Sequence, residues 1–394
     1  MTADQPAATA ETIDLVRDGL SYRIAQRMGM AATTLPRRLL KVAALFVVTW
    51  IPLLLLSLAS GCAVGTAVQV PFLADPEVHA RFLIVLPLLE LAEVVVGVSL
   101  RTQMNHLREM GIVPERERER YDAARSDAKA LRGSVWAEGT ILVLAYTMAV
   151  VLRLFMGFSE GGSSWERDGS AITPAGWWLM LVSLPILYFF LLRWLWVFVV
   201  WGWFLRRVSR LDLALTPTHP DRAAGLGFVG RGLAGFATVL VAVSTVFSAA
   251  FADEILHHGE SLDSLKYHVA VFVVAAVLIL HVPLLTFSGR LARCRFQGLL
   301  EFGALAWRHD RAFDEKWIRN SGKTVPGSIL GSSDVQSMAD IATCYEHIND
   351  MRLIPFDSKA LAVVALAAMC PMLPLIGTAV PLREIFMKLG ELLI

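Results

Sequence analysis

The stretch from Trp177 to Leu205 constrains this chain more than any other. It is predominantly apolar and carries a single charge, Arg193, near its middle. An apolar run longer than about 20 residues can cross a bilayer as a tilted helix. Tryptophans stand at both ends, as in the aromatic belts of membrane interfaces, and Arg206 begins a cluster of arginines after it. The stretch therefore predicts a transmembrane helix and an integral membrane protein.

The composition of the whole chain supports this interpretation. Of its 394 residues, 55% are hydrophobic and only 18% are charged, whereas soluble domains are about 45–50% apolar with about a quarter of their residues charged. The formal net charge of +1 gives no reason to expect nucleic acid as a partner. We therefore expect a polytopic membrane protein in contact with the lipid bilayer, with extramembrane parts of modest size.

Six further apolar runs bring the number of predicted spans to about seven, in an all-α bundle of transmembrane helices with a cytoplasmic helical layer. The predicted spans are 40–58, 81–100, 135–156, 177–205, 233–252, 267–287 and 361–380. The last contains Pro371 and Pro374, which predict a kink; a re-entrant segment is the alternative. The chain then divides into a cytoplasmic amphipathic N-terminus (1–39), spans one and two (40–100), a cytoplasmic helical arm (101–134), spans three and four (135–204), a cytoplasmic connector (205–232), spans five and six (233–287), a cytoplasmic helical region (288–358), and span seven with a C-terminal tail (359–394).

Basic residues are distributed unevenly between the loops, and this predicts the orientation. Segment 61–80 has no Lys or Arg and 158–176 has only Arg167, whereas 101–132 and the connector are rich in arginine. By the positive-inside rule, the N-terminus, the arm and the connector lie in the cytoplasm. Residues 1–35 carry no apolar signal-peptide core, and apolar side chains at helical spacing from Ile13 to Met28 predict a short helix on the inner surface.

Two amphipathic helices are predicted after span six. An apolar stripe runs along the first, and a second stripe runs from Val335 to Ile348, with a Gly/Ser-rich linker at 321–333 between them. The first stripe consists of Leu291, Phe296, Leu299, Phe302, Leu305, Phe313 and Trp317. It is too apolar to face water, so we expect the two helices to pack as a hairpin. If they do not, the stripe binds another chain, such as a second copy or a protein partner, or the membrane surface.

Charges within the predicted spans carry the most information about function. Glu90, Glu93, Arg193 and His281 all lie inside spans, and counting from the outer ends places Glu93, Arg193 and His281 at one depth. A lone arginine there is costly, so we expect Arg193 to pair with Glu93 or with Glu90. This polar layer either holds helices together or serves the passage of an ion or solute.

A second candidate is the polar group His219, Asp221 and Arg222 in the connector. It forms either a ligand-binding or gating loop, or a capped turn in which Asp221 accepts backbone N–H groups at the start of the next helix. The glycines of the G-x-G-x-x-G pattern that follows, from Gly225 to Gly230, enter a membrane helix rather than a soluble βαβ unit, so they favour close packing over dinucleotide binding. The four cysteines have no metal-ligand spacing, and we expect neither a metal nor a cofactor.

Four segments resemble a family of uncharacterised bacterial membrane proteins. They are LTPTHPDRAAGLGF at 215–228, HDRAFDEKW at 309–317, GSILGSSDVQSMADIATCYEHINDMRLIPF at 327–356 and PMLPLIGTAVPLREIF at 371–386. The resemblance is mainly over residues 205–394. It implies a bacterial inner-membrane location, and it brings no known activity and no catalytic residues.

Two classes of function follow. The first is a transporter- or channel-like conduit that uses the polar layer around Arg193. The second is a membrane-anchored interaction or regulatory protein whose cytoplasmic helices bind a partner. An enzyme is less favoured, because the sequence has no H-E-x-x-H motif, nucleophile–base set or phosphate loop. A water-lined cavity at Glu93 and Arg193 would favour the conduit, and an apolar patch on the cytoplasmic helices would favour the binding protein.

Overall fold

A computed structural model describes residues 35–156, 163–169, 171–257, 259–319 and 332–379. The amphipathic N-terminal segment, most of the linker at 321–333 and the C-terminal tail from 380 onward lie outside the described residues.

Seven helices within the described residues are long and apolar enough to cross a membrane, so the chain is a multi-pass, all-α membrane protein as predicted. The spans are Leu35–Ala59, Pro76–Glu109, Val135–Leu154, Pro174–Val208, Gly227–His257, Leu262–Arg319 and Ser358–Leu375, and they are called spans one to seven below. Two strands, β1 (Arg167–Asp168) and β2 (Ala171–Ile172), pair antiparallel before span four. Outside the spans lie the arm helix, Arg118–Arg132, and the helix Ser333–Asn349.

Most spans combine α-helix with tighter or wider turns. The α-helical parts are Leu35–Thr49, Ile51–Ala59, Pro76–His79, Leu86–Glu109, Val135–Met156, Pro174–Trp178, Leu184–Val208, Gly227–Gly232, Ala237–His257, Leu262–His281, Ser288–Phe313, Ser358–Met369 and Ile376–Ala379. The π-helical parts are Ala80–Val85, Leu179–Ser183 and Asp314–Arg319. The 3-10 parts of the spans are Leu233–Phe236, Val282–Phe287 and Cys370–Leu375. Two further 3-10 turns, Phe72–Ala74 and Glu115–Glu117, lie outside the spans. Pro283 and Pro371 stand in the first turn of two 3-10 parts, where a proline lacks the N–H that an α-helix would need.

Span four lies at the centre of the bundle. It contacts spans two and three, the arm helix and the 3-10 part of span six. Trp201 is fully buried and stacks on Phe204 with ring centroids 5.3 Å apart. Trp201 is therefore enclosed by protein, because the arm helix packs against this end of the span. Trp177, at the other end, is 48% exposed.

The ends of the spans form two faces. The basic face consists of residues 101–134, 209–226, 288–319 and 332–357; the opposite face consists of 60–75, 163–169 and 171–173. On the basic face, span two continues to Glu109, and the hydroxyl of Tyr121 donates a 2.6 Å hydrogen bond to the carbonyl oxygen of Met104. The arm is therefore packed against the bundle. On the opposite face, the indole of Trp165 donates to Asp75 over 2.8 Å, which joins two loops.

The helical hairpin that the sequence predicts after residue 287 is present. Ser288–Phe313 packs along Ser333–Asn349, and the indole of Trp317 donates to Asp334 over 2.9 Å. The expected stripe is only partly enclosed, because Phe296 is 64% exposed and Leu305 is also exposed. The exposed apolar side chains on the first helix include Phe296, Leu300 and Trp307. Binding of a partner to them stays a prediction.

Candidate functional site

Four charged side chains meet between spans one, two and four. Glu93 Oε1 lies 2.9 Å from Arg193 Nη1 and 3.8 Å from Lys41 Nζ, and Lys41 Nζ lies 2.8 Å from Glu90 Oε1. Both carboxylates and Arg193 are buried. These four residues are called the intramembrane charged cluster below. The predicted ion pair of Arg193 with Glu93 is therefore present, and Glu93 is shared between two cations.

Lys41 is the member of this cluster that sequence reasoning missed. It lies at the start of span one, where a lysine is expected to reach the headgroups. Its ammonium group instead points into the bundle, 5.7 Å from the centre of the Phe190 ring. The cation makes ionic contact with Glu90, although its geometry does not qualify as a hydrogen bond, and Oε2 of Glu90 has no hydrogen-bond partner among the described residues. Lys41 thus supplies the second positive charge that two buried carboxylates require.

A second buried ion pair lies beside the cluster, toward the basic face. Arg132 is fully buried at the end of the arm helix, and its guanidinium lies 3.5 Å from Glu138. Burial, with the positive charge of Arg193 adding to its effect, lowers the pKa of Arg132 to about 10. Trp196, three residues after Arg193, donates to the carbonyl oxygen of Leu131 over 3.3 Å. Arg193 therefore lies about one helical turn from the start of span three.

His281 does not join the cluster, so its expected place in the polar layer is wrong. Its ring packs against Phe356 with centroids 5.1 Å apart, and its Nδ1 lies 2.7 Å from the Val277 carbonyl oxygen. Pro283, two residues later, packs against Gly202, and Gly202 follows Arg193 by nine residues. His281 is therefore about 10 Å closer to the basic face than Arg193. The depth estimate failed because the helices do not begin at one height.

In the connector, Asp221 organises the backbone before span five. Its carboxylate accepts hydrogen bonds from the N–H groups of Ala223 (2.8 Å), Gly225 (3.1 Å) and Gly227 (2.8 Å). Burial alone would raise the pKa of Asp221, but these three backbone hydrogen bonds and a contact with His219 bring it below its ordinary value. The expected capped turn at the start of span five is therefore present.

The capped turn places the other two connector residues at its rim. His219 Nδ1 lies 2.8 Å from Asp221 Oδ1, and the exposed guanidinium of Arg222 lies 3.6 Å from Asp350. Arg222 has a positive φ of 54°, a conformation that is uncommon outside glycine. The hydrogen bonds around Asp221 hold the backbone in this conformation, which directs Arg222 toward the loop before span seven.

Arg352 joins that loop to the connector. Its backbone N–H donates to the carbonyl oxygen of Arg222 over 2.7 Å, and its guanidinium donates to the carbonyl oxygens of Asp221 (2.8 Å) and Phe356 (2.5 Å). A Cβ at Gly230 would lie only 2.1 Å from the carbonyl oxygen of Pro355. The interpretation of this glycine as a close-packing residue is thus confirmed, and the two segments form one unit.

A cavity of about 610 Å³ opens between these two segments. Its lining residues are Pro220, Asp221, Arg222, Gly227, Arg231, Asp350, Arg352, Phe356, Asp357 and Ser358. It is called the basic-face cavity below. A smaller cavity of about 130 Å³ shares Asp221 and Arg231 with it. Glu90, Glu93 and Arg193 line neither of these two cavities.

The carboxylates around the basic-face cavity are already engaged. Asp221 accepts three backbone N–H groups, and Asp357 caps span seven by accepting the N–H of Ala360 over 2.7 Å. Two of the guanidiniums are not matched by a carboxylate. Arg352 donates to neutral carbonyl oxygens, and among the described residues Arg231 has no recorded ion pair or hydrogen bond. The lining therefore contains three aspartates and three arginines, and its least engaged donors are the arginine guanidiniums.

Sequence reasoning missed Arg231 and Arg352. Arg352 stands alone between two apolar residues, and only the fold brings it to a connector far away in the chain. The described residues contain no group of three or more His, Cys, Asp or Glu side chains that could hold a metal ion.

Comparison with known proteins assigns no function to these arrangements. No family model matches the chain, and no curated protein or solved structure is significantly similar to it.

Proposed function

We propose that this multi-pass membrane protein is a membrane-anchored binding protein, in which the spans position a ligand site on the basic face. The observation that carries the proposal is the basic-face cavity, whose walls come from two segments far apart in sequence. A ligand there contacts both segments at once, so its binding energy can act on their relative position. That is the property a regulatory protein requires.

The intramembrane charged cluster supports the same proposal by contrast. Its cations and carboxylates face one another; Glu90, Glu93 and Arg193 are buried, and Lys41 is partly buried. Charges matched in this way hold helices together, since separating them would leave each charge uncompensated in an apolar environment. The cluster is thus suited to fixing spans one, two and four as the base of the site.

The proposal includes the orientation, with the basic face in the cytoplasm of a bacterial cell. The uneven distribution of arginine supports it. Cysteines introduced at Ser126, on the exposed side of the arm helix, and at Ser163, on the opposite face, provide the test. In intact cells, a membrane-impermeant thiol reagent should label Ser163→Cys and spare Ser126→Cys. The reverse pattern would show that the orientation is inverted.

The site itself is tested by protection of a cysteine at Ser358, which is exposed and lines the cavity. Maleimide labelling of Ser358→Cys is followed by peptide mass spectrometry, so the native cysteines can stay. A small-molecule or lipid extract of the expressing cells should slow this labelling several-fold. The matched control, Ser126→Cys, should be unaffected. Equal labelling of Ser358→Cys with and without either extract would contradict the proposal.

A conduit through the bundle is the second candidate, and one observation favours it. Glu90 keeps a buried carboxylate oxygen without a hydrogen-bond partner among the described residues, and acidic side chains inside spans occur on ion pathways. Proton and potassium flux into proteoliposomes, measured with fluorescent dyes, separates the candidates. A binding protein gives no flux above protein-free liposomes, whereas a conduit gives flux that Glu90→Gln abolishes.

A further inference from the structure

We infer that the basic-face cavity binds a phosphate group, held by the guanidiniums of Arg222 and Arg231 with the positive charge of Arg352 behind them. This inference rests on the proposed function and names the chemical class of its ligand. It follows from which donors in the cavity are unused and from how they are placed.

Arg231 is the first of these donors. It is exposed, lines both cavities and has no recorded partner among the described residues. Arg222 is the second, since among the described residues its one recorded side-chain partner is Asp350 at 3.6 Å, and both side chains are more than half exposed. An exposed ion pair of this kind contributes about 0–1 kcal/mol. A doubly charged anion can therefore displace Asp350 at little cost.

Arg352 contributes in a different way. Two of its guanidinium nitrogens are fixed on carbonyl oxygens, so it has a defined position and keeps its full positive charge. Guanidinium forks match the geometry of phosphate oxygens and form charge-assisted hydrogen bonds with them. Gly227 and Ser358, the first residues of spans five and seven, also line the cavity.

The cavity lies where the spans end, so a phosphate can reach it from two sources. One is the headgroup of a phospholipid in the adjacent leaflet, and the other is a free phosphate compound. The chemistry at the arginines is the same for both, and the experiment has one arm for each.

In the test, the full chain is placed in phosphatidylcholine nanodiscs, and its melting temperature and the labelling rate of Ser358→Cys are measured. The first arm adds inorganic phosphate, with chloride at equal ionic strength as the reference. The second arm replaces part of the lipid with phosphatidic acid. We expect a higher melting temperature and slower labelling in at least one arm. An effect of phosphatidic acid alone identifies a lipid headgroup, and an effect of inorganic phosphate identifies a free ligand.

Arg231→Gln and Arg222→Gln should each weaken the effect by about tenfold or more, the loss expected for one charge-assisted hydrogen bond. Both side chains are exposed, so the variants should fold. Arg210→Gln, an equal change of charge on the same face but outside the cavity, is the matched control and should behave as the wild type.

Two results would overturn the inference. One is an absence of effect in both arms, and the other is an equal loss in Arg210→Gln, which would indicate a general charge effect. If cell extracts still protect Ser358→Cys while both phosphate probes fail, the phosphate class is wrong and the proposed function stands. If the extracts also fail to protect it, the proposed function is wrong as well.

Discussion

The intramembrane charged cluster and the basic-face cavity contain similar side chains but use their charges differently. In the cluster, cations face carboxylates, as Glu93 does between Lys41 and Arg193. In the cavity, the best-fixed arginine faces carbonyl oxygens, and Asp221 faces backbone N–H groups. Charges that neutralise each other stabilise a fold, whereas charges satisfied by neutral dipoles remain available to a ligand. The comparison therefore indicates where this protein holds itself together and where we propose that it binds a ligand.

The largest expected effect is in the cluster. Replacing Arg193 by leucine removes the cation 2.9 Å from Glu93 and leaves the more distant Lys41, at 3.8 Å. We expect the free energy of unfolding to fall by about 3–5 kcal/mol, because a buried charge is left uncompensated. Melting of the detergent-solubilised protein measures the loss. Arg206→Leu, an exposed arginine later in the same span, is the control and should change little.

Combining Arg193→Leu with Glu93→Gln should recover part of that loss, since both charges of the pair are then removed. Strictly additive losses in the double variant would show that the two residues do not stabilise each other. The charges of the cluster could then no longer be contrasted with those of the cavity as charges that stabilise the fold.

The second effect concerns the link across the cavity. Arg352→Met removes two hydrogen bonds from a charged group to backbone carbonyl oxygens. We expect a loss of about 2–3 kcal/mol in the free energy of unfolding. Arg352→Lys keeps the charge but loses the planar fork, so its loss should be smaller. Thermal melting compares the two, and equal stability of wild type and Arg352→Met would show that the link contributes nothing.

A third and smaller effect depends on pH. The folded-state pKa of Asp221 lies below its ordinary value, so its carboxylate stabilises the fold above the unfolded-state pKa of about 3.9. This contribution is lost as the pH falls through the lower folded-state value. Asp221→Asn should therefore destabilise by about 1–2 kcal/mol at pH 7. The gap in melting temperature between wild type and variant should narrow toward pH 3, while Asp350→Asn, which removes an exposed carboxylate, should show little change at either pH. A gap that widened in acid would contradict the assignment.

The smallest effect is expected at Arg231, the arginine that we propose binds the ligand. Arg231→Gln removes no recorded contact among the described residues, so the free energy of unfolding should stay within about 0.5 kcal/mol of the wild type. Chemical denaturation or thermal melting without added phosphate provides the measurement. A loss comparable to that of Arg352→Met would show that Arg231 is a structural residue, and the distinction between the two regions would disappear.

The sequence predicted the parts of this molecule that local pattern and strong energetic cost determine. The seven spans follow from apolar runs, the partner of Arg193 from the cost of a lone buried arginine, and the role of Asp221 from its position before a helix. The ends of helices were harder to predict from the sequence. Span two continues to Glu109, where it packs against the arm helix, and hydropathy does not reveal such contacts.

The remaining site residues could not be predicted from the sequence, for physical reasons. Lys41 stands at the start of a span, where a lysine usually faces headgroups, and nothing in the sequence shows that it turns inward. His281 was misplaced because equal counting along two helices does not give equal height. Arg352 and Arg231 are brought to one cavity only by the packing of span five against the loop before span seven, a contact that no local pattern encodes.

The continuous helical segment Leu262–Arg319 extends well beyond the basic-face cavity. Beyond Gly298, where the helix touches Pro217 of the connector and Ile348 of its hairpin partner, it extends for 21 residues, about 30 Å. The contact at Gly298 thus involves the same two segments that form the cavity walls. The connector continues into Asp221, and the second hairpin helix continues into Arg352. A rotation of the helix by a few degrees about this contact would move the far end of the hairpin by about 2–3 Å over that length. If an adjustment of the cavity walls rotated the helix in this way, the displacement would be larger at the tip than at the cavity.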